Sequence, residues 1–155
     1  MWNFNFILCL FFISVSVSYY VPHRFPTGYI TKYMLSLHDT IVSEINFKRP
    51  TNLHNFTCHI NEFNNYVRNL ISSYYDDVFV QYRLEANDIA ELIRKPKWIS
   101  YKDFSALRDK YEWNEYDMKG VNRAVEKTES LWGRFQNLKA KNISHNFSTE
   151  EFYPG

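Results

Sequence analysis

The chain has 155 residues, two cysteines and a formal net charge of +1, from 18 basic and 17 acidic side chains. A chain of this length suits one domain with a substantial hydrophobic core. The two signs of charge are interspersed and no basic face or stripe is present, which excludes the nucleic-acid-binding class.

Residues 1–18 have the pattern of a secretory signal peptide. An apolar run covers Phe6 to Ile13, and the small residues Ser16 and Ser18 occupy the −3 and −1 positions before Tyr19. The run is shorter than the roughly 20 residues that cross a bilayer. The sequence therefore predicts cleavage before Tyr19, an extracellular protein, and no membrane span after cleavage. A buried N-terminal strand is the alternative interpretation.

Cleavage would remove Cys9 and leave Cys58 as the one cysteine of the mature chain. An internal disulfide is then excluded, and with it the small secreted families built on disulfide frameworks. Cys58 could still pair with another chain, which would give a covalent dimer.

Apolar residues recur with helical spacing after residue 27, and no segment alternates as a strand would. We therefore predict an all-α fold, a bundle of four or five helices within residues 19–140. The first helix is expected over Gly28–Phe47, with Thr27 as its N-cap. Its apolar stripe comprises Ile30, Met34, Leu37, Ile41 and Ile45.

The second helix is expected to begin near Thr51 to Leu53, with one apolar stripe from Phe56 to Tyr82. It either continues to Ile93 or breaks near residues 86–88. A third helix is predicted from Ser100, which would act as its N-cap.

The last helix is predicted over about Tyr116–Ala140, with Gly133 allowing a neighbouring backbone to approach closely. Residues 141–155 have no sustained period and are predicted to form a flexible tail.

The two halves of the chain resemble one another weakly. Phe47-Lys48-Arg49-Pro50 parallels Ile93-Arg94-Lys95-Pro96 in the second half. Two degenerate helix–turn–helix repeats would produce this pattern, and so would two unrelated helix pairs with similar turns.

Three Asn-x-Ser/Thr sequons, at Asn55, Asn142 and Asn146, are candidate glycosylation sites in a secreted chain. No nucleophile elbow or phosphate-binding glycine loop is present, so the sequence predicts a non-enzymatic protein without a cofactor. His54, Cys58 and Glu62 share one helical stripe and have the chemistry of zinc ligands. The stripe lies opposite the apolar face, so we interpret it as a solvated surface and predict no metal site.

Aromatic side chains off the main stripes are the candidate binding residues. Trp98, Tyr101, Trp113 and Tyr116 fall in or beside predicted turns, and exposed Tyr and Trp are favoured interface anchors. A core that simply consumes aromatic side chains is the alternative explanation.

A signal peptide followed by a Tyr-rich helical domain resembles the small secreted effectors of sap-feeding or parasitic animals, among them the aphid bicycle proteins. Those proteins carry a pair of Cys-Tyr-Cys motifs, whereas this chain has Cys58-His59-Ile60 at the first place and no cysteine at the second. The resemblance implies an effector that binds a protein partner, in a host. A helical cytokine-like ligand and a carrier of a small apolar ligand are the alternatives.

Overall fold

The computed structural model describes residues 28–101 and 104–150, with side chains to residue 142. This part of the chain contains no strand and confirms the predicted all-α fold. The five helices of this part of the chain are α1 (Tyr29–Ile45), α2 (Leu53–Ser72), α3 (Val80–Ile93), α4 (Ser105–Tyr111) and α5 (Glu115–Glu150). Short 3₁₀ turns cover Asp77–Phe79 and Lys97–Ser100. The predicted signal peptide and Thr27 lie outside the described residues.

Helix α1 packs against both α2 and α3, and α2 makes its most extensive contact with α5. All five members of the predicted α1 stripe are buried, from Ile30 to Ile45. Phe56 and Phe63 of α2 and Phe135 of α5 are fully buried. The Asn64 side-chain amide donates to the backbone carbonyl of Ala124 at 3.0 Å, which ties α2 to α5 inside the core.

A carboxylate from α3 caps the start of α1. Glu85, only 2% exposed, accepts hydrogen bonds from the backbone N–H and the hydroxyl of Thr31, both at 2.8 Å. The first amides of a helix have no intrahelical partner, and a negative charge there also suits the helix dipole. Glu85 therefore fixes α3 against the N-terminus of α1.

The break in the second predicted helix lies earlier than expected. Helix α2 ends at Ser72, and α3 continues unbroken through residues 86–88. The Asp76 side chain accepts from the backbone N–H of Val78 at 2.9 Å and so caps the intervening 3₁₀ turn. Val78, expected in the apolar stripe, is 64% exposed.

Two other boundaries also differ from prediction. Ser100 ends the 3₁₀ turn Lys97–Ser100 instead of capping a helix, and α4 begins at Ser105. Helix α5 continues to Glu150, so residues 141–150 are helical where a tail was predicted. A helix needs no apolar stripe to continue, and no Pro or Gly interrupts the chain between Gly133 and Pro154.

The two predicted repeats are unequal in the structure. A link of seven residues, 46–52, joins α1 to α2, whereas a 3₁₀ turn and the short α4 separate α3 from α5. No helix in the described part of the chain has both the length and the apolarity needed to cross a membrane.

Candidate interaction surface

The structure separates the four predicted binding residues into two buried and two exposed side chains. Trp98 is 0% exposed and Trp113 is 8% exposed, whereas Tyr101 is 40% and Tyr116 is 83% exposed. The expectation that Trp98 and Trp113 lie on the surface is therefore wrong. Of the four, only Tyr101 and Tyr116 are accessible to a partner.

Trp98 is buried because the 3₁₀ turn directs its side chain between the helices. Its ring meets Phe63 edge-on, with centroids 4.8 Å apart, and lies 5.3 Å from the ring of His38. The indole N–H donates to the Thr128 hydroxyl at 3.2 Å. A buried Trp N–H needs such a partner, and Thr128 supplies it from α5.

Trp113 belongs to a second aromatic cluster near the start of α5. Its ring is stacked with Tyr111 at a centroid distance of 5.6 Å and lies 5.9 Å from Phe56. Sequence position misled the interpretation of both tryptophans, because residues beside turns are usually exposed.

Tyr101 stands at the edge of an open cleft between the Lys97–Ser100 turn and α5. The cleft has a volume of about 350 Å³ and is lined by Ile99, Tyr101, Phe104, Asn122, Val125, Glu126 and Glu129. Tyr116 is not among these lining residues, so the structure does not bring the two exposed tyrosines together in the cleft.

The position of Tyr101 is fixed by contacts on two sides. Its hydroxyl donates to the side-chain oxygen of Asn46 at 3.1 Å, which links the cleft to the end of α1. Its ring is stacked with Phe104 at a centroid distance of 6.1 Å. Phe104 in turn meets Phe56 of α2 edge-on at 6.1 Å. The aromatic edge of the cleft is thus anchored on the core.

The opposite wall of the cleft carries two carboxylates from α5. Glu126 and Glu129 are exposed and stand three residues apart on the helix, so they share one face. Within the part of the chain that the structure describes, neither forms an ion pair, although Arg123 lies three residues before Glu126. The sequence did not identify these two glutamates as candidate binding residues, because exposed glutamates on a polar helix face are common.

The structure does not bring the side chains of His54, Cys58 and Glu62 together. Cys58 is exposed, as predicted, and its sulfur lies 3.6 Å from His54 Nε2. Glu62 turns to α1, where it accepts a hydrogen bond of 2.5 Å from the Tyr33 hydroxyl. Across residues 28–101 and 104–142, no three His, Cys, Asp or Glu side chains gather as a metal site.

The most notable titratable pair was missed by sequence reasoning. Glu44 is 1% exposed, and its Oε2 lies 3.0 Å from Nδ1 of His59 on α2. A carboxylate is rarely buried without a partner of this kind. Glu44 lies one helical turn from Ile41 on α1, but nothing in the sequence identified its partner on another helix.

The candidate glycosylation residues are distributed over two helices. Asn55 is exposed in the first turn of α2, where its backbone N–H donates to the Asn52 side chain at 2.8 Å. Asn142 is exposed on α5. The backbone of Asn146 lies in the same helix, and its side chain lies outside the described residues. Occupancy of the three sequons stays a prediction.

No family model, curated protein or solved structure matches this chain.

Proposed function

We propose that this protein acts without catalysis, by binding a partner protein outside the cell that produces it. Secretion is supported by the apolar run Phe6–Ile13 and the small residues before Tyr19. Binding is supported most directly by Tyr101, a half-exposed aromatic side chain held at the edge of a cleft by Asn46 and Phe104. Rigid aromatic side chains of this kind are favoured anchors at protein interfaces.

The two alternative functions have less support. A cytokine-like bundle needs two long crossover connections. Among the described helices, residues 46–52 and 73–79 are short links, and the connection from α3 to α5 is the one long one. A carrier needs an enclosed apolar cavity, whereas the bundle interior is filled by side chains such as Trp98, Phe56 and Phe63.

The secretory half of the proposal is tested by expressing the full chain in insect cells. We expect the product in the medium, with Tyr19 as its first residue. Retention in the cytosol with Met1 intact would contradict secretion and, with it, glycosylation at Asn55.

The binding half is tested by affinity capture from the extracellular fluid of candidate target tissue, with quantitative mass spectrometry. A true partner should be retained by the secreted wild-type protein and depleted when Tyr101→Ala is the bait. Tyr75→Ala is the matched control, because Tyr75 is 73% exposed and does not line the cleft. Equal recovery by all three baits would contradict binding through the cleft.

A further inference from the structure

We propose that the cleft beside Tyr101 binds an arginine side chain presented by the partner protein. The assignment of the arginine to a partner rests on the proposed function. The chemical preference of the cleft for a guanidinium group rests on its own residues and can be measured without a partner.

The floor of the cleft suits the aliphatic part of an arginine side chain. Ile99, Phe104 and Val125 line it with apolar groups, and Phe104 and Val125 are themselves packed in the core. The three methylene groups of arginine can lie along such a surface while the charged end stays near the rim. A volume of about 350 Å³ is at the small end for ligand sites and so suits one side chain.

The wall and edge of the cleft suit the charged end. Glu126 and Glu129 repel one another at a spacing of three residues on a helix, and a bound cation would remove that repulsion. The face of a Tyr ring also attracts cations. The same two carboxylates would disfavour an acidic partner, because like charges brought together at an interface cost free energy.

Arginine fits this combination better than lysine. Its planar guanidinium can bond a carboxylate through two parallel N–H groups and can stack on an aromatic ring. It is also more weakly hydrated than an ammonium group, so it loses less on entering the cleft. The Asn122 side chain adds a further polar group to the same wall.

The test is a titration of the ¹⁵N-labelled secreted protein with N-acetyl-arginine amide, followed by amide chemical shifts. A ligand of about 15 non-hydrogen atoms at ordinary efficiency has a Kd of about 1 mM. We expect shifts at Tyr101, Glu126 and Glu129 with a Kd of that order. The citrulline analogue has nearly the same shape without the charge, and it should bind at least about tenfold more weakly. The lysine analogue should also bind more weakly than arginine.

The double variant Glu126→Gln/Glu129→Gln should bind the arginine probe at least about tenfold more weakly than the wild type. Glu112→Gln/Glu115→Gln is the matched control, since it removes two exposed glutamates that do not line the cleft. Circular dichroism on both variants checks that they retain the helical fold. A higher salt concentration should weaken binding, because exposed charges are screened.

Any of three results would overturn the inference. The amide shifts could fail to saturate with millimolar arginine probe, the citrulline analogue could bind with the same affinity as the arginine probe, or Glu126→Gln/Glu129→Gln could bind the arginine probe with unchanged affinity. Choline serves as a probe for a free organic cation, and tighter binding of choline than of arginine would overturn the assignment to a protein side chain. If the arginine probe fails while Tyr101→Ala still loses a captured partner, the arginine inference falls and the proposed function stands.

Discussion

At the scale of single residues, the Glu44–His59 pair places a carboxylate in the core, beside a histidine of α2. Glu44 is 1% exposed, and Nδ1 of His59 lies 3.1 and 3.0 Å from its two carboxylate oxygens. His59→Ala leaves the Glu44 carboxyl group buried without this partner, so we expect a loss of about 1–3 kcal/mol in the free energy of unfolding. Urea unfolding measures the loss.

The double variant His59→Ala/Glu44→Gln should recover part of that loss, because the buried charge is then absent. His54→Ala is the control: its side chain is exposed five residues earlier on α2, and we expect a change within about 0.5 kcal/mol. Equal effects of the two histidine substitutions would contradict the assignment of Glu44 as a buried, paired carboxylate.

Trp98 gives a second prediction at this scale. Because it is fully buried against Phe63 and donates to Thr128, Trp98→Ala should cost about 3–5 kcal/mol, as should Phe63→Ala. Tyr101→Ala should cost about 1 kcal/mol or less, since the ring is half exposed. Guanidinium unfolding measures the free energy of unfolding of the three variants. A loss for Trp98→Ala no larger than that for Tyr101→Ala would contradict the burial of Trp98.

At the scale of elements, Gly133 offers a stabilising substitution in α5. A methyl group built on Gly133 meets no atom within 4 Å, so the expected close approach of a neighbouring backbone is absent. Gly133→Ala should therefore raise the free energy of unfolding by about 0.5–1 kcal/mol, through lower entropy of the unfolded chain and higher helix propensity.

Gly28→Ala is the counterpart of that substitution. Gly28 also has open space around it, but its φ of +81° is unfavourable for a residue with a Cβ. We expect this variant to be less stable than the wild type. Thermal unfolding of both proteins decides the point, and a gain in stability for Gly28→Ala would contradict the left-handed start of α1.

The elements that sequence reasoning located correctly are those with a continuous buried stripe. The spacing of Ile30, Met34, Leu37, Ile41 and Ile45 predicted α1 because each position faces the core. The second stripe predicted one continuous helix where the structure has two. The 3₁₀ turn Asp77–Phe79 separates α2 from α3, but the spacing of the apolar residues continues across it without a break.

The candidate site was predicted only in part, because its contacts join distant residues. A one-turn 3₁₀ segment has no period, so nothing in the sequence indicated that Trp98 points inward. The hydrogen bond between Tyr101 and Asn46 spans 55 residues, and the carboxylate wall comes from yet another element. Tyr101 itself was identified because exposed tyrosines beside turns are common interface residues.

At the scale of the whole molecule, stability must depend on pH, because several titratable groups have shifted pKa values. Burial lowers the pKa of His38 below its ordinary value of 6.5; Asp39 partly offsets this, and Lys97 adds to it. The unfolded chain therefore binds a proton at His38 more readily than the folded chain. Below about pH 6.5, acidification consequently favours unfolding.

Glu85 adds to the pH dependence of stability at acidic pH, and Tyr33 adds to it at alkaline pH. Burial alone would raise the pKa of Glu85, but hydrogen bonds from Gln81 and Thr31 bring it below its ordinary value of 4.5. Its stabilising contribution is lost as the pH falls through that lowered pKa. The hydrogen bond from Tyr33 to Glu62 raises the pKa of Tyr33 to about 12, so stability is lost as the pH rises above 10.

We therefore expect the free energy of unfolding to be highest between about pH 7 and pH 9 and to fall on both sides. Urea unfolding at a series of pH values measures the curve. In His38→Asn, the free energy of unfolding should change less steeply with pH just below about pH 6.5, whatever the variant's overall stability. The loss at lower pH that depends on Glu85 should remain. Tyr33→Phe should flatten the slope above about pH 10. Unchanged wild-type stability between about pH 7 and pH 5, or an equal slope there in His38→Asn, would contradict the burial of a neutral His38 beside Trp98.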